Sequence, residues 1–171
     1  MYKRQILRPA GLRHTTSSQT AEIPAPVLHA FTRERGTYEE STFWNPSWTL
    51  ARGAIQTSTI GDLVRSASVI GSGRLLSPAA YREFLAPATA GLAPWSSDTY
   101  FALGIVSDNG WLNQTPSFGG YFGVMAYQPE RRIAIAVAST KLEGAEVDPN
   151  FSAAIYRRIA AYLTPGAAPR G

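Results

Sequence analysis

Apolar and polar positions alternate most clearly in residues 100–140, where runs rich in Tyr, Phe, Ile and Val are separated by turn signals. Asn109-Gly110 separates residues 100–106 from 111–114, and a Gln-Pro-Glu-Arg segment separates residues 121–127 from 132–140. Asn-Gly pairs close tight β-hairpins, so the pattern predicts two successive hairpins in an antiparallel meander of three to four strands. We expect this meander to form the centre of a sheet.

Three helices are predicted around the sheet from their start signals. Thr59 can cap the first, with Asp62 reaching back to it, Ser77-Pro78 opens the second, and Asn150 can cap the third. Together with the meander they predict an α+β fold, an antiparallel sheet flanked by helices. The apolar positions at helical spacing are Ile60, Leu63, Val64, Ala67 and Ile70 in the first helix, Tyr81, Phe84 and Leu85 in the second, and Phe151, Ile155, Ile159 and Tyr162 in the third.

The first third of the chain has weaker patterning. Residues 16–26 predict a loop, residues 27–31 a short strand, and residues 32–41 a charged surface segment. An aromatic-rich segment around Asn45-Pro46 then predicts a rigid loop, since the residue before proline avoids helical geometry. Its Trp44 and Trp48 leave two interpretations open: they anchor the loop on the core, or one of them lines a cleft.

Composition narrows the function classes. A chain of 171 residues with 44% hydrophobic content predicts one domain, and the charge of +4 is scattered rather than gathered in a basic stripe, which argues against nucleic-acid binding. The absence of cysteine excludes disulfides and thiolate metal sites, and two histidines make a metal site or cofactor unexpected. The longest purely apolar run, residues 133–138, is far shorter than the roughly 20 residues that span a bilayer, so no membrane segment is expected.

No self-contained hydrolase motif is visible. The chain has no Ser-x-x-Lys and no Gly-x-Ser-x-Gly, and we interpret both His14 and His29 as structural. Ser107-Asp108-Asn109 matches a β-lactamase motif letter for letter, but it precedes Gly110 and is interpreted as a hairpin turn. The adjacent pair Glu39-Glu40 is interpreted as solvated loop.

Four segments nevertheless carry a family resemblance through their order and spacing. ILRPAGLRHT (residues 6–15) is similar to "I-x-x-P-L-G-M-x-x-T", and residues 45–78 are similar to "G-G-x-x-S-T-x-x-D-L-x-x-F" followed by "G-x-L-L-S-P". YFALGI (residues 100–105) is similar to "Y-G-L-G-W", and residues 120–140 to "G-F-x-S-x-x-x-Y-x-P-E" with its strand. The chain thereby resembles the serine β-lactamase and penicillin-binding-protein superfamily, specifically class C-like serine hydrolases related to bacterial D-alanyl-D-alanine carboxypeptidases.

The resemblance implies that residues 6–171 are the C-terminal portion of a single β-lactamase-like domain, and residues 1–5 are interpreted as non-native, adapter-like sequence. The family's Ser-x-x-Lys nucleophile and Tyr-x-Asn motif normally precede the segment at residues 6–15, so both would be absent here and the chain inactive alone. The parent would hydrolyse amides or esters through an acyl-enzyme, and the family implies an extracytoplasmic location in bacteria. An unpaired sheet edge and uncovered apolar surface are expected.

The family's Lys-Thr-Gly or His-x-Gly element falls by spacing on Gln114, Thr115 and Pro116, followed by Ser117. An exposed strand edge there can pair with a small-molecule or peptide-like substrate, although Gln114 replaces a cation and Pro116 lacks a backbone donor. Trp44 is the further candidate for lining the cleft. The alternative is a non-catalytic peptide- or glycan-binding module that uses the edge at residues 114–121 together with Trp44.

Overall fold

The computed structural model describes residues 3–17, 20–45, 55–144 and 150–170. Trp48 and its expected role lie outside these ranges. A helical turn at Lys3–Leu7 leads into α1, and a short 3₁₀ turn at Pro165–Ala167 follows α4. The helices are α1 (Arg8–Ala10), α2 (Ile60–Gly71), α3 (Pro78–Phe84) and α4 (Phe151–Leu163), and the strands are β1 (Phe31–Thr32), β2 (Glu39–Glu40), β3 (Thr99–Phe101), β4 (Val106–Asp108), β5 (Trp111–Gln114), β6 (Ser117–Phe118), β7 (Tyr121–Gln128) and β8 (Ile133–Thr140).

The main sheet has six antiparallel strands, more than the three to four predicted. Its strands follow the order β3-β4-β5-β7-β6, and β8 pairs with β7 along its full length. The two predicted hairpins are present: Asn109 and Gly110 both adopt positive φ at the turn between β4 and β5, and β7 pairs with β8. A separate small sheet pairs β1 with β2. The α+β class is therefore confirmed, and the strand count was too low.

Helices cover both faces of this sheet. On one face α4 packs against Val124, Ala126 and Ile135, together with the fully buried Trp111. The Trp111 ring meets Tyr156 of α4 edge-on, and its Nε1 donates to Thr164 Oγ1 at 3.1 Å. Alternate residues of a strand point to opposite faces, so the contact of α2 with Tyr127 lies on the other face.

The same second face holds a smaller cluster at the β3–β4 end of the sheet. Ala102, Ile105 and Leu112 are buried there beneath Phe84 and the residue after α3. The three predicted helix starts are confirmed. Thr59 accepts a hydrogen bond from the amide of Asp62, Ser77 from that of Ala80, and Asn150 from that of Ala153.

The predicted buried faces of the helices are partly wrong. On α4 the residues facing the sheet are Ser152, Tyr156 and Ala160, whereas the apolar stripe predicted from helical spacing is exposed. On α2, Ala67 is buried as expected, but the helix also buries Val69 and Gly71. The large apolar residues of these two helices that remain exposed are Ile60, Ile70, Phe151, Ile155, Ile159, Tyr162 and Leu163.

Candidate functional site

Strands β5 and β6 form one interrupted strand along a single edge of β7. Gln114 lies opposite Met125 and Ser117 lies opposite Phe122, so the pairing register continues unchanged across the two intervening residues. The Gly123 amide also donates to the Pro116 carbonyl at 2.8 Å. Residues 111–118 therefore form one arm of a third hairpin, which the sequence interpretation missed.

The outer edge of residues 114–118 is open. Strand β4 pairs with β5 as far as Asn113, and no strand in the described ranges pairs with that edge beyond it. Thr115, Pro116 and Ser117 are exposed, and Gln114 is half-buried. This stretch, the open edge, is the part of the molecule best placed to receive an extended substrate by β-addition.

The pairing geometry shows which side of the strand lacks a backbone donor because of Pro116. In an antiparallel ladder the amide and carbonyl of successive residues point alternately to the two sides of the strand. The carbonyl of Pro116 faces β7, where Gly123 donates to it, so the N–H that proline lacks is one that would face β7. The backbone groups of Thr115 and Ser117 consequently point outward. Although Pro116 has no N–H, the outward-facing N–H groups of Thr115 and Ser117 remain available.

The side chain of Gln114 is held across the end of the sheet. Its Nε2 donates to the Gly104 carbonyl at 2.6 Å, which ties β5 to the turn between β3 and β4. A Lys or Arg here would place a charge beside that carbonyl, whereas the amide is neutral and keeps its oxygen as an acceptor. The side chain at this position therefore contributes a neutral polar group to the open edge.

The hairpin tip beyond the open edge is built from two glycines. Gly119 and Gly120 have φ of 52° and 84°, which suits a two-residue turn with left-handed conformation at both positions. A Cβ at Gly120 would lie 2.0 Å from the Phe31 carbonyl oxygen, so only glycine fits. Ser41 Oγ donates to the Gly119 carbonyl, and Tyr121 OH donates to the Leu28 carbonyl at 2.7 Å.

Residues 28–44, the tip loop, are thereby fixed against the end of the open edge. Trp44 lies in this loop, its amide bonded to the Ser41 carbonyl, and the Arg35 guanidinium lies 4.1 Å from the centre of its indole ring. The structure thus links Trp44 to the hairpin tip through Ser41. Its ring packs against Arg35, and whether it touches substrate stays a prediction.

A hydrogen-bonded pair that the sequence interpretation did not find lies in the same loop. His29 Nδ1 lies 2.6 Å from Glu40 Oε1, and hydrogen bonding from His29, then from Thr42, lowers the pKa of the Glu40 carboxyl. Burial, with a smaller contribution from Glu40, raises the pKa of Tyr121. Glu40 belongs to β2 rather than to the predicted solvated loop, although its side chain remains exposed.

The Ser-Asp-Asn motif lies at a hairpin turn, away from the open edge. Ser107-Asp108-Asn109 forms the end of β4 and its turn, as predicted, and Asp108 accepts from the Thr99 hydroxyl and the Arg170 amide. Within the described ranges there is no group of three or more His, Asp or Glu side chains that could hold a metal. Over the same ranges, no helix has the length and apolar character needed to cross a bilayer.

Comparison with known proteins places this geometry in context. The family model described as "Beta-lactamase" matches residues 1–157. The chain is similar in structure to a D-stereospecific amidohydrolase from Streptomyces sp. at 19% identity and TM-score 0.69, with 81% of this chain and 42% of that chain covered. It is also similar to a penicillin binding protein from Bacillus halodurans at 16% identity and TM-score 0.64, with coverages of 90% and 47%.

A third similar structure is the D-amino acid amidase from Ochrobactrum anthropi SV3 complexed with L-phenylalanine amide, at 17% identity and TM-score 0.64, with coverages of 88% and 45%. At these identities the structural likeness establishes the fold alone, and the chain spans less than half the length of each of the three. No curated protein matches the chain. Because the beta-lactamase family model covers 157 of its 171 residues, the chain belongs to the beta-lactamase family.

Proposed function

We propose that this chain supplies the strand wall and flanking helices of a serine hydrolase that cleaves amide substrates through an acyl-enzyme. The observation that carries the proposal is the open edge, in a chain of the beta-lactamase family. There the outward backbone groups of Thr115 and Ser117 can pair with an extended, peptide-like substrate. Acyl-enzyme formation divides one difficult hydrolysis into two easier steps.

The neutral character of the open edge favours amides of amino acids over substrates with a free carboxylate. Carboxylate recognition is strongest where a cation pairs with the acid, and Gln114 carries no charge. Its Nε2 is further engaged with the Gly104 carbonyl. Two of the structurally similar proteins are named as an amidohydrolase and an amidase, which supports an amide substrate. We therefore place amidase activity ahead of β-lactamase or carboxypeptidase activity.

The nucleophile of this reaction would come from outside the chain. No Ser-x-x-Lys occurs in its 171 residues, and the chain spans less than half of the structures it resembles. We propose that the Ser-x-x-Lys and Tyr-x-Asn groups belong to the part of the domain that this chain does not match. The chain alone is then expected to be inactive, and the complete protein to act outside the cytoplasm.

Covalent labelling tests the proposal directly. The chain alone and the product of the gene with its upstream sequence are each treated with a fluorescent fluorophosphonate and a fluorescent penicillin. Labelling of the longer product together with none of the chain alone supports the proposal. A labelled serine within the chain alone contradicts it. An intact upstream serine that takes no label favours instead a non-catalytic peptide- or glycan-binding module.

Substrate preference is tested in the longer product by exchanging Gln114. We expect hydrolysis of amino acid amides to exceed hydrolysis of dipeptides with a free carboxylate, and Gln114→Lys to move the ratio of kcat/KM toward the dipeptides. Gln114→Glu is the matched control, since it changes charge in the opposite direction and should move the ratio away from them. Equal ratios in all three proteins would show that residue 114 does not contact the substrate.

A further inference from the structure

The segment at residues 8–16 lies along α2 and is fixed to it at both ends; we term it the strap. At one end Arg74 donates to the Pro9 carbonyl at 2.8 Å. At the other end Thr16 pairs with Thr57, just before α2 begins. Between them the His14 amide donates to Asp62 Oδ2 at 2.8 Å. The backbone of the strap is therefore held in one position relative to the helix.

An open groove of about 400 Å³ lies between the strap and α2. It is lined by Gly11, Arg13 and His14 from the strap and by Asp62 and Arg65 from the helix. Each wall thus contributes one guanidinium. The volume lies in the range that holds a small ligand.

Gly11 lies in contact with the side chain that carries one of these guanidiniums. It has a φ of 72°, and a Cβ built on it would lie 3.5 Å from Arg65 Cδ and 3.8 Å from Arg65 Nη1. The side chain of Arg65 therefore lies across the bare backbone of Gly11. This contact brings the Arg65 side chain from α2 toward the strap, which carries Arg13.

The charges of the groove are unbalanced. Among the ion pairs of the described residues, none involves Arg13 or Arg65. Among the described residues that line the groove, Asp62 is the one acid, and it is 5% exposed. Its Oδ2 already accepts from the His14 amide and, at 2.9 Å, from the Thr15 hydroxyl. Asp62 is therefore committed to holding the strap, and the groove presents two guanidiniums and an imidazole to solvent.

We propose that this groove binds a small oxyanion ligand, a molecule that carries a phosphate or carboxylate group. Guanidinium groups offer forked donors that match the oxygens of either group, and two of them on opposite walls can hold one anion between them. The site is separate from the open edge in sequence and in its elements, and it does not depend on the amidase proposal.

Isothermal titration calorimetry of the full chain tests the site with inorganic phosphate, pyrophosphate and citrate. We expect saturable binding of at least one of them with one site per chain. Arg13→Gln and Arg65→Gln should each weaken it by roughly tenfold or more, the effect of losing one charge-assisted contact. Arg158→Gln is the matched control: it removes the same charge from an exposed position on α4 and should leave the affinity unchanged.

Arg65→Lys separates ligand recognition from folding, because lysine keeps the charge and the aliphatic stem but loses the fork. We expect it to bind more weakly than the native chain while the far-UV circular dichroism spectrum stays the same. Binding of phosphates alone or of citrate alone supports the site and identifies the ligand class. Absence of saturable binding in the millimolar range, or an equal loss in Arg158→Gln, overturns the proposal.

Discussion

Replacing Gly71 by Ala is expected to destabilise the fold by forcing α2 away from the sheet. A Cβ at this position would lie 2.5 Å from both Cβ and Cδ1 of Tyr127. The obstructing atoms include Cβ, which is attached to the backbone of β7, so rotation of the tyrosine side chain cannot clear the contact. Either the helix or the strand has to move.

The change in unfolding free energy of Gly71→Ala is the sum of two opposing effects. Overpacking against an atom that cannot rotate away costs about 3 kcal/mol, the upper part of the usual range. Alanine in place of glycine in a helix returns about 1 kcal/mol through its higher helix propensity. The net loss of unfolding free energy is therefore about 2 kcal/mol, which lowers the melting temperature of a chain this size by about 4–8 °C.

Gly61→Ala is the matched control on the same helix. The atom nearest to its added Cβ is Thr59 Oγ1, at 4.0 Å, so the propensity gain should appear without a clash. We expect this variant to gain about 0.5–1 kcal/mol. Urea unfolding followed by circular dichroism gives both values. If Gly71→Ala were as stable as Gly61→Ala, the close packing of α2 on β7 would be refuted.

Further predictions concern the polar groups of Tyr156, Asp62 and Glu40. The Tyr156 hydroxyl is buried without a hydrogen-bond partner among the described residues, so Tyr156→Phe should raise the unfolding free energy by about 1 kcal/mol in urea denaturation. Burial raises the pKa of Tyr156 above its ordinary 10.0; the native protein should lose stability as pH rises past that value, and less so in the Phe variant. Asp62→Asn should cost about 2 kcal/mol, because two hydrogen bonds to a charged acceptor hold the strap, and an unchanged urea midpoint would count against this. The hydrogen bond from His29 lowers the pKa of Glu40, so its small stabilising contribution is present above pH 4.5 and lost below it; His29→Ala should raise that pKa in an NMR titration.

Local signals predicted the strands and the helix starts because their physical causes are local. Asn109-Gly110 accepts the positive φ that its turn requires, and Thr59, Ser77 and Asn150 bond to amides within three residues. The third hairpin was missed although its Gly119-Gly120 pair is a turn signal. Proline at position 116 interrupts the strand, yet the pairing register continues past it, with the Gly123 amide bonded to the Pro116 carbonyl.

The helix faces could not be read from hydrophobic spacing because the residues that pack inward mix small, polar and large side chains. Where α4 lies on the sheet it presents Ser152 and Ala160 beside Tyr156, and α2 buries Ala67 and Gly71 beside Val69. The apolar stripe predicted for α4 stands on its outward side, with Ile155 45% exposed. A prediction that weights residues by hydrophobicity assigns the large apolar side chains to the buried face. On α4 this gave the wrong side of the helix.

The open edge was located from family spacing, but its surroundings depend on contacts between distant parts of the chain. Gln114 is bonded to Gly104, and the tip loop reaches Gly119 through Ser41, 78 positions earlier in the sequence. The groove beside the strap likewise joins Arg13 to Arg65. Local sequence patterns do not predict these contacts, because they depend on how the sheet and α2 are arranged in space.

The glycine turn at the hairpin tip also sets an order of events during synthesis. Ser41 leaves the ribosome 78 residues before the Gly119 carbonyl that it bonds to. At about 5–20 residues per second, the tip loop waits about 4–16 s for its partner. During that interval Phe31 and its neighbours lack the glycine turn on which they pack, so the tip loop depends on the last third of the chain for its structure.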